Sequence, residues 1–230
     1  MDPAYYIAAG SLKARSMQMD VVANNLANSS TVGYKTERSF FQVFNRAATE
    51  GRGLPLSKDV NDGAIVAMKG VDFSQGATTP TGRTLDLALE GDGFFMVQTP
   101  QGLRATRDGR FTLATNGQLE AVDGAPLMGK NGQPIRLDPS AGNPSIDADG
   151  NVTQAGNALG QLDLRAYADT SRLSRTGSNR YDPGNAAQVP AKAKVQQGSL
   201  EQSGVDVASA MVDMIRINRL FEMSMKVAST

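Results

Sequence analysis

Apolar positions along this chain follow a helical rhythm at both ends and a strand-like one between them. From Tyr5 to about Asn28 there is no proline, and Gly10 is the only glycine. Tyr5, Leu12, Met19 and Leu26 recur every seven residues, with Ala8 and Val22 at intermediate positions, which draws a narrow apolar seam. The pattern predicts one helix of roughly 35 Å at about 1.5 Å per residue. It should stop near Asn28, where Ser29, Ser30, Thr31 and Gly33 supply side-chain hydrogen bonding and backbone freedom.

The C-terminal end repeats the design. Val207, Met211, Met214, Asn218, Phe221, Met225 and Ala228 alternate spacings of four and three, the rhythm of a coiled-coil seam. Asp206 is placed to cap this helix and Gly204 to lead into it. Asn218 puts a polar group inside the seam, a position that usually fixes register or partner number.

Between the helices, short apolar runs are punctuated by seven Asp-Gly or Asn-Gly pairs, at residues 62, 92, 108, 116, 123, 131 and 149. Both residue types tolerate positive φ, so each pair predicts a tight turn and the whole a mostly antiparallel β domain. The expected strands are 85–89, 94–98, 110–113, 118–121, 135–137 and 160–167. Residues 47–82 and 171–190 are rich in small polar residues and read as irregular connections. The resulting fold class is α+β, with terminal helices paired as a coiled-coil-like core element. Its predicted parts are an N-terminal helix and motif (1–35), an irregular connector (36–82), a central β domain (83–190) and a C-terminal connector with helix (191–230).

Neither narrow seam can be buried against the middle alone, and isolated helices of this length are marginal in water. The ends should therefore pack on each other and on neighbouring copies, and a head-to-tail contact that does not close a ring gives an open filament.

Composition narrows the chemistry. The 230 residues contain neither Cys nor His, which removes disulfides, thiolate nucleophiles, the usual zinc ligands and imidazole acid/base catalysis. Lys plus Arg (23) balance Asp plus Glu (23), so no global field favours nucleic acid or an anionic membrane. The opening Met1, Asp2, Pro3 lacks the basic and apolar regions of a cleavable secretory signal, and no apolar run is long enough to span a bilayer.

Three constellations resemble catalytic or binding motifs, and each fails on context. Gly124 to Lys130 has P-loop spacing, but Asn131 replaces Ser or Thr, and Gly132 and Pro134 block the helix that the mechanism needs. Asp147, Asp149 and Asn151 resemble the start of a calcium loop, yet the glycine falls fourth and the twelfth position is Ala158. Asp86, Glu90 and Asp92 are acidic neighbours that nothing in the sequence sets at a glycosidase separation. All three read as turns or strand ends. On the residues alone, a filament subunit, a β-domain binding module dimerised by its helices and a carboxylate-based enzyme stay open, in that order.

The run Met19-Asp20-Val21-Val22-Ala23-Asn24-Asn25-Leu26-Ala27-Asn28, followed by Ser29-Ser30-Thr31-Val32-Gly33-Tyr34-Lys35, closely resembles the N-terminal motif of bacterial flagellar rod and hook proteins. Leu85 to Phe95 and Thr106-Arg107-Asp108-Gly109-Arg110-Phe111 are similar to the family's central motifs. Gln197-Gly198-Ser199-Leu200-Glu201 and the helix through Met214-Ile215 and Phe221-Glu222 are similar to its C-terminal region. The opening Met1 to Tyr6, with no long insertion after Lys35, resembles the proximal rod members more than the distal rod or hook type.

The resemblance implies a structural subunit of the basal-body rod, not an enzyme. It implies export without a cleavable signal through the flagellar type III apparatus, and polymerisation with copies of itself and neighbouring rod proteins in a rod that spans the periplasm. The terminal helices would line the core and the β domain would face outward. The implied assembly residues are Leu12, Met19, Val22, Asn24, Asn25, Leu26 and Asn28 in the first helix. In the second they are Val207, Met211, Met214, Asn218, Phe221 and Met225. No catalytic, metal or cofactor site is implied, nor a role in binding nucleic acid or inserting into a membrane.

Overall fold

A computed structural model describes residues 3–44 and 64–228 of the chain. The chain forms two compact units.

The first unit comprises residues 1–29, 36–72 and 205–230. Helix α1 (Pro3–Ala27) ends where the Asn28 and Ser29 amides close the last turn onto the carbonyls of Asn24, Asn25 and Leu26. Strands β1 (Thr36–Phe44) and β2 (Ala64–Asp72) pair antiparallel from Thr36 opposite Asp72 to Phe44 opposite Ala64. Helix α2 (Val207–Ala228) begins at the expected cap, since Asp206 accepts hydrogen bonds from the amides of Ala208 (3.0 Å) and Ser209 (3.4 Å) and from the Ser209 hydroxyl (2.7 Å). Helix α1 packs against α2 and against both strands. A two-stranded ribbon is marginal alone, so this helix contact supplies the third layer it needs.

The second unit comprises residues 30–35 and 73–204. Its strands are β3 (Thr78–Pro80), β4 (Leu87–Glu90), β5 (Phe94–Thr99), β6 (Gly102–Thr106), β7 (Phe111–Leu113), β8 (Leu119–Ala121), β9 (Ser145–Ile146), β10 (Asn151–Gln154) and β11 (Asn157–Gln161). There follow β12 (Leu164–Tyr167), β13 (Ser174–Gly177), β14 (Arg180–Asp182), β15 (Gln188–Pro190), β16 (Lys194–Gln197) and β17 (Ser199–Glu201). Every described pairing between them is antiparallel. The largest sheet has the order β13-β14-β6-β5-β12-β15 and a smaller one β11-β10-β9, while β16-β4, β17-β3 and β7-β8 pair separately.

Strand β5 organises the interior because both of its faces are covered, which is why Phe94-Phe95-Met96-Val97 reads as a continuous apolar run. Phe95 and Val97 join Leu87, Leu119, Leu127, Val152 and Leu162 in the main core, where Phe95 meets Phe111 edge-on at 5.3 Å. On the other face Phe94 packs with Phe73, Tyr167 and Tyr181 at ring separations of 5.4 to 6.1 Å.

The turn signals did two kinds of work. Gly117, Gly124, Gly132 and Gly150 adopt positive φ, as expected of turn glycines. Gly109 instead permits close approach, since a Cβ there would lie 1.5 Å from the Leu87 carbonyl oxygen. The Asp62-Gly63 pair lies outside the described residues.

Three expectations need correction. The stretch 47–82 contains β2 and β3, and 171–190 contains β13, β14 and β15. Apart from the local β13–β14 hairpin, these strands pair with partners well separated in sequence, and β2, β3, β13 and β15 are sheet edges, so polar residues are tolerated on their open side. The predicted strand 160–167 is interrupted at Leu162 and Asp163, where the Asp163 amide bonds to Met128 and its carbonyl to Met96. Residues 135–137 contribute bridges and loop bonds in place of a strand, with the Ile135 amide on the Leu127 carbonyl and the Leu137 amide on the Gly117 carbonyl.

Candidate assembly site

The packed faces of the two helices differ by a small rotation from the predicted seams. Along α1, Ala14, Val21 and Asn25 are buried, whereas Leu12, Met19, Val22, Leu26 and Asn28 are half-buried and Asn24 is exposed. The Tyr5 and Ala8 side chains lie outside the described residues. Along α2 the covered line is Ala210, Met214, Ile217, Phe221 and Ser224, again at alternating spacings of four and three. Met214 and Phe221 were expected on it, and Ile217 was not. Val207, Met211, Asn218 and Met225 are exposed. Beside the covered line, α2 carries further large apolar side chains that are left uncovered.

That outer stripe is continuous. Met211 (51% exposed), Val212 (64%), Ile215 (56%) and Met223 (55%) stand in water. Val212, Ile215, Leu220 and Met223, with Arg216 and Arg219, line a shallow apolar groove of about 440 Å³. Single exposed apolar residues are ordinary, but a contiguous apolar face on one helix marks an interaction surface.

Asn25 has a specific local role. Its side-chain amide donates to the Glu37 carbonyl (2.8 Å) and accepts from the Glu37 amide (2.9 Å), so it pairs with β1 as a neighbouring strand residue would. Asn28 donates to both the carbonyl and the side-chain oxygen of Asn24, at 2.9 Å each, which occupies groups left over at the helix end.

Residues 30–35, although they directly follow α1, fold into the β unit. The Lys35 ammonium is 1% exposed and lies 2.5 Å from Glu201 Oε1, on a carboxylate that is also 1% exposed. Arg107, 4% exposed, donates from Nη1 to Glu201 Oε2 at 3.1 Å. The Gly76 amide adds a bond of 2.8 Å to Glu201 Oε1. Two cations thus share one carboxylate, and backbone dipoles take up the excess positive charge: Ser74 O accepts from Lys35 (2.8 Å) and Gly91 O from Arg107 (2.7 Å). The guanidinium also stands 5.4 Å from the centre of the Phe94 ring.

The backbone around this cluster is tied equally closely. The Gly33 amide donates to Glu201 O at 2.7 Å, and the Gly204 amide to Tyr34 O at 2.9 Å. Gly33 has φ +66, and a Cβ there would lie 2.4 Å from the Arg107 carbonyl oxygen, so only glycine fits. Arg175 lies over the Tyr34 ring at 4.3 Å while donating to the Lys35 carbonyl at 2.7 Å, and Asn179 donates to the Val32 carbonyl at 2.8 Å. Three of the stretches that carried the family resemblance outside the helices each contribute one charged member, Lys35, Arg107 and Glu201, and the fourth, Leu85 to Phe95, supplies the Gly91 carbonyl and the Phe94 ring. Sequence reasoning missed the cluster because its members are far apart along the chain.

The motif look-alikes resolve into structure. Residues 124–130 form β-type pairings, with Leu127 bridged to Val97 and Gly129 to Leu162. Asp147 accepts from the Asp149 and Asn151 amides and from the Asn151 side chain, which holds its carboxyl below the ordinary value. Asp86 is buried against the Thr81 hydroxyl (2.7 Å), whereas Glu90 and Asp92 are exposed. Among the described residues no acidic group of three or more is arranged to hold a metal, and no helix is long and apolar enough to cross a membrane.

Terminal helices packed on each other, together with a separate antiparallel β unit, define an α+β protein. Comparison with known proteins makes this specific. The model of the family described as "Flagella basal body rod protein" matches residues 6–35. That of the "Flagellar hook protein FlgE/F/G D1 domain" matches 88–154, and that of the "Flagellar basal body rod FlgEFG protein C-terminal" matches 196–230. The chain is 36% identical to the flagellar basal-body rod protein FlgF of Caulobacter vibrioides, over 96% of this chain and 90% of that one. It is 33% identical to FlgG of Buchnera aphidicola from Schizaphis graminum, over 100% and 96%, and 32% identical to FlgG of Bacillus subtilis, over 98% and 93%.

The chain belongs to the flagellar basal-body rod protein family. It is a structural rod subunit of the basal body and assembles there with other rod proteins.

Proposed function

We propose that this subunit polymerises through α1 and α2, with the outer apolar face of α2 seated on a helix of a neighbouring copy or another rod protein. The observation that carries this reading is the two-sided character of α2. One line of residues is covered by α1 within the chain, and a second, larger apolar stripe through Met211, Val212, Ile215 and Met223 stays in water. A coiled-coil-like core shared among copies would cover that stripe, to which the seam position Met211 belongs and which Val207, Asn218 and Met225 flank.

The proximal, FlgF-type place in the rod is the reading that alignment length favours. Matching Caulobacter FlgF takes 226 positions for 96% of the chain, whereas matching Buchnera FlgG takes 253 positions for all of its 230 residues. The chain lacks an insertion that the FlgG relatives carry. Export through the flagellar type III apparatus would deliver it to a rod that crosses the periplasm.

Ile215→Asp, expressed in the native bacterium, tests the helix contact. The expected result is a monomer with unchanged thermal unfolding and basal bodies that stop short of the hook. Normal hooks on that variant would refute the interface. Rescue of a strain lacking FlgG, but not of one lacking FlgF, would reverse the proximal assignment.

A further inference from the structure

We propose that a cavity in the β unit, walled by Phe73, Phe94, Arg107 and Tyr167, is a recognition pocket for a carboxylate side chain presented by a neighbouring rod protein. All of its lining residues belong to the β unit and none to α1 or α2, so it is a site apart from the helix contact.

The cavity has a volume of about 560 Å³, within the range of pockets that hold a small ligand. Its inner wall is apolar and aromatic: Phe94, Ala166 and Tyr167 are buried, and Phe73 meets Phe94 edge-on at 5.4 Å. Its rim is polar and exposed, with Ser74, Asp92 and Lys192. Such a lining suits an apolar stem that ends in a polar or charged tip.

Charge selects the tip. Arg107 is buried in the wall, with Nη1 on Glu201 and Nη2 on the Gly91 carbonyl, while its Nε has no hydrogen-bond partner. Glu201 is shared with Lys35, so this cluster holds two cations for one carboxylate. Backbone carbonyls lessen the cost of that excess but bring no net charge to cancel it. Lys192 adds a cation at the rim and Asp92 an anion, which leaves three cations against two carboxylates in and behind the cavity lining. The covered guanidinium acts through its charge, which is felt more strongly across a low-dielectric wall than in water. The exposed Lys192 ammonium is the group that can donate a direct bond to an entering carboxylate. A larger cavity of about 940 Å³, which shares Val189 and Pro190 with this one, offers the contrast: Lys130 and Arg165 are balanced there by Asp149 and Asp163, so it has no preference of sign.

The chain assembles with other rod proteins, and an Asp or Glu side chain supplies both the short apolar stem and the anionic tip that this lining fits. Propionate copies the end of a Glu side chain, and propionamide is its neutral counterpart. Each is titrated into the full-length monomer while backbone amide NMR shifts are followed. Propionate should move the Gly93, Phe94 and Lys192 amides along a saturable curve, and propionamide should not. Lys192→Met should weaken the propionate curve roughly threefold, the size of one partly exposed charge pair, and Asp92→Asn should tighten it. A curve that does not saturate, an equal response to propionamide, or a Lys192→Met curve identical to the parent's overturns the pocket.

The partner is tested by Lys192→Glu, expressed in the native bacterium after its melting temperature is shown to match the parent's. The expected result is basal bodies that stop short of the hook. Normal hooks on this variant overturn the assignment to a neighbour's side chain and leave a free carboxylic acid as the occupant. Because Ile215→Asp reads α2 alone and Lys192→Glu reads the cavity alone, the helix contact and the pocket fail separately.

Discussion

Lys35 Nζ and Glu201 Oε1 stand 2.5 Å apart although 166 positions separate them along the chain, and neither side chain is more than 1% exposed. Removing one member of such a pair leaves the other charged and out of water, which typically costs about 3–5 kcal/mol. Glu201→Gln is therefore expected to destabilise the β unit by at least that order, since it strands both Lys35 and Arg107, and Lys35→Met/Glu201→Leu, which still strands Arg107, by less than the sum of the single changes. Urea unfolding of the four proteins gives the coupling directly.

Arg175 performs two tasks with one planar group, stacking on Tyr34 and donating to the Lys35 carbonyl. An ammonium cannot reproduce that combination. Arg175→Lys should cost about 1–2 kcal/mol of β-unit stability even though the charge is kept. Equal melting temperatures for the variant and parent would contradict this.

Two glycines separate close approach from backbone conformation. Gly132 has φ +74 with open space around it, so Gly132→Ala should cost about 1 kcal/mol, the price of a left-handed residue. At Gly109 a Cβ would fall 1.5 Å from Leu87 O and disrupt the bond from the Leu87 amide to Gly109 O. Gly109→Ala should exceed 3 kcal/mol, on the order of the largest single-site effects, and thermal unfolding of the two variants should rank them accordingly.

Asp206 caps α2 with its carboxyl lowered below the ordinary value, first by the Ser209 hydroxyl and then by the Ser209 and Ala208 amides. A lowered folded value means that the cap stabilises the helix above the unfolded carboxylate's range and that this contribution fades as pH falls through the folded value. Protection against hydrogen exchange at the start of α2, measured relative to the intrinsic rate at each pH, should therefore fall under acid conditions. Asp206→Asn keeps a capping oxygen without a titrating group and should flatten that dependence.

Much of this architecture was legible in the residues. Asn28 to Gly33 marked the end of α1, Asp206 marked the start of α2, and the Asn-Gly and Asp-Gly pairs at 116, 123, 131 and 149 marked turns, because each signal acts within a few residues of itself. The pairing of Thr36–Phe44 with Ala64–Asp72 was not legible, since the partner of each strand lies across a long intervening segment. Which residues of α2 face inward was only partly legible, since Met214 and Phe221 were in the predicted seam and Ile217 was not, and spacing alone cannot say which positions a partner within the chain will cover. Nothing in the local sequence marks Lys35, Arg107 and Glu201 as interior residues; only the fold that brings them together does so.

Strand β5 has a further consequence before folding is complete. Phe94-Phe95-Met96-Val97 is an uncharged, aromatic-rich segment with no proline, the composition that zips together between chains when it is left uncovered. In the native unit both of its faces are hidden. In a nascent or unfolded chain they are not, and Glu90 and Asp92 just upstream are then the gatekeeping charges that disfavour stacking of one copy on another. Neutralising both should leave the folded protein largely untouched and show itself as lower soluble yield, a cost borne entirely by the unfolded state.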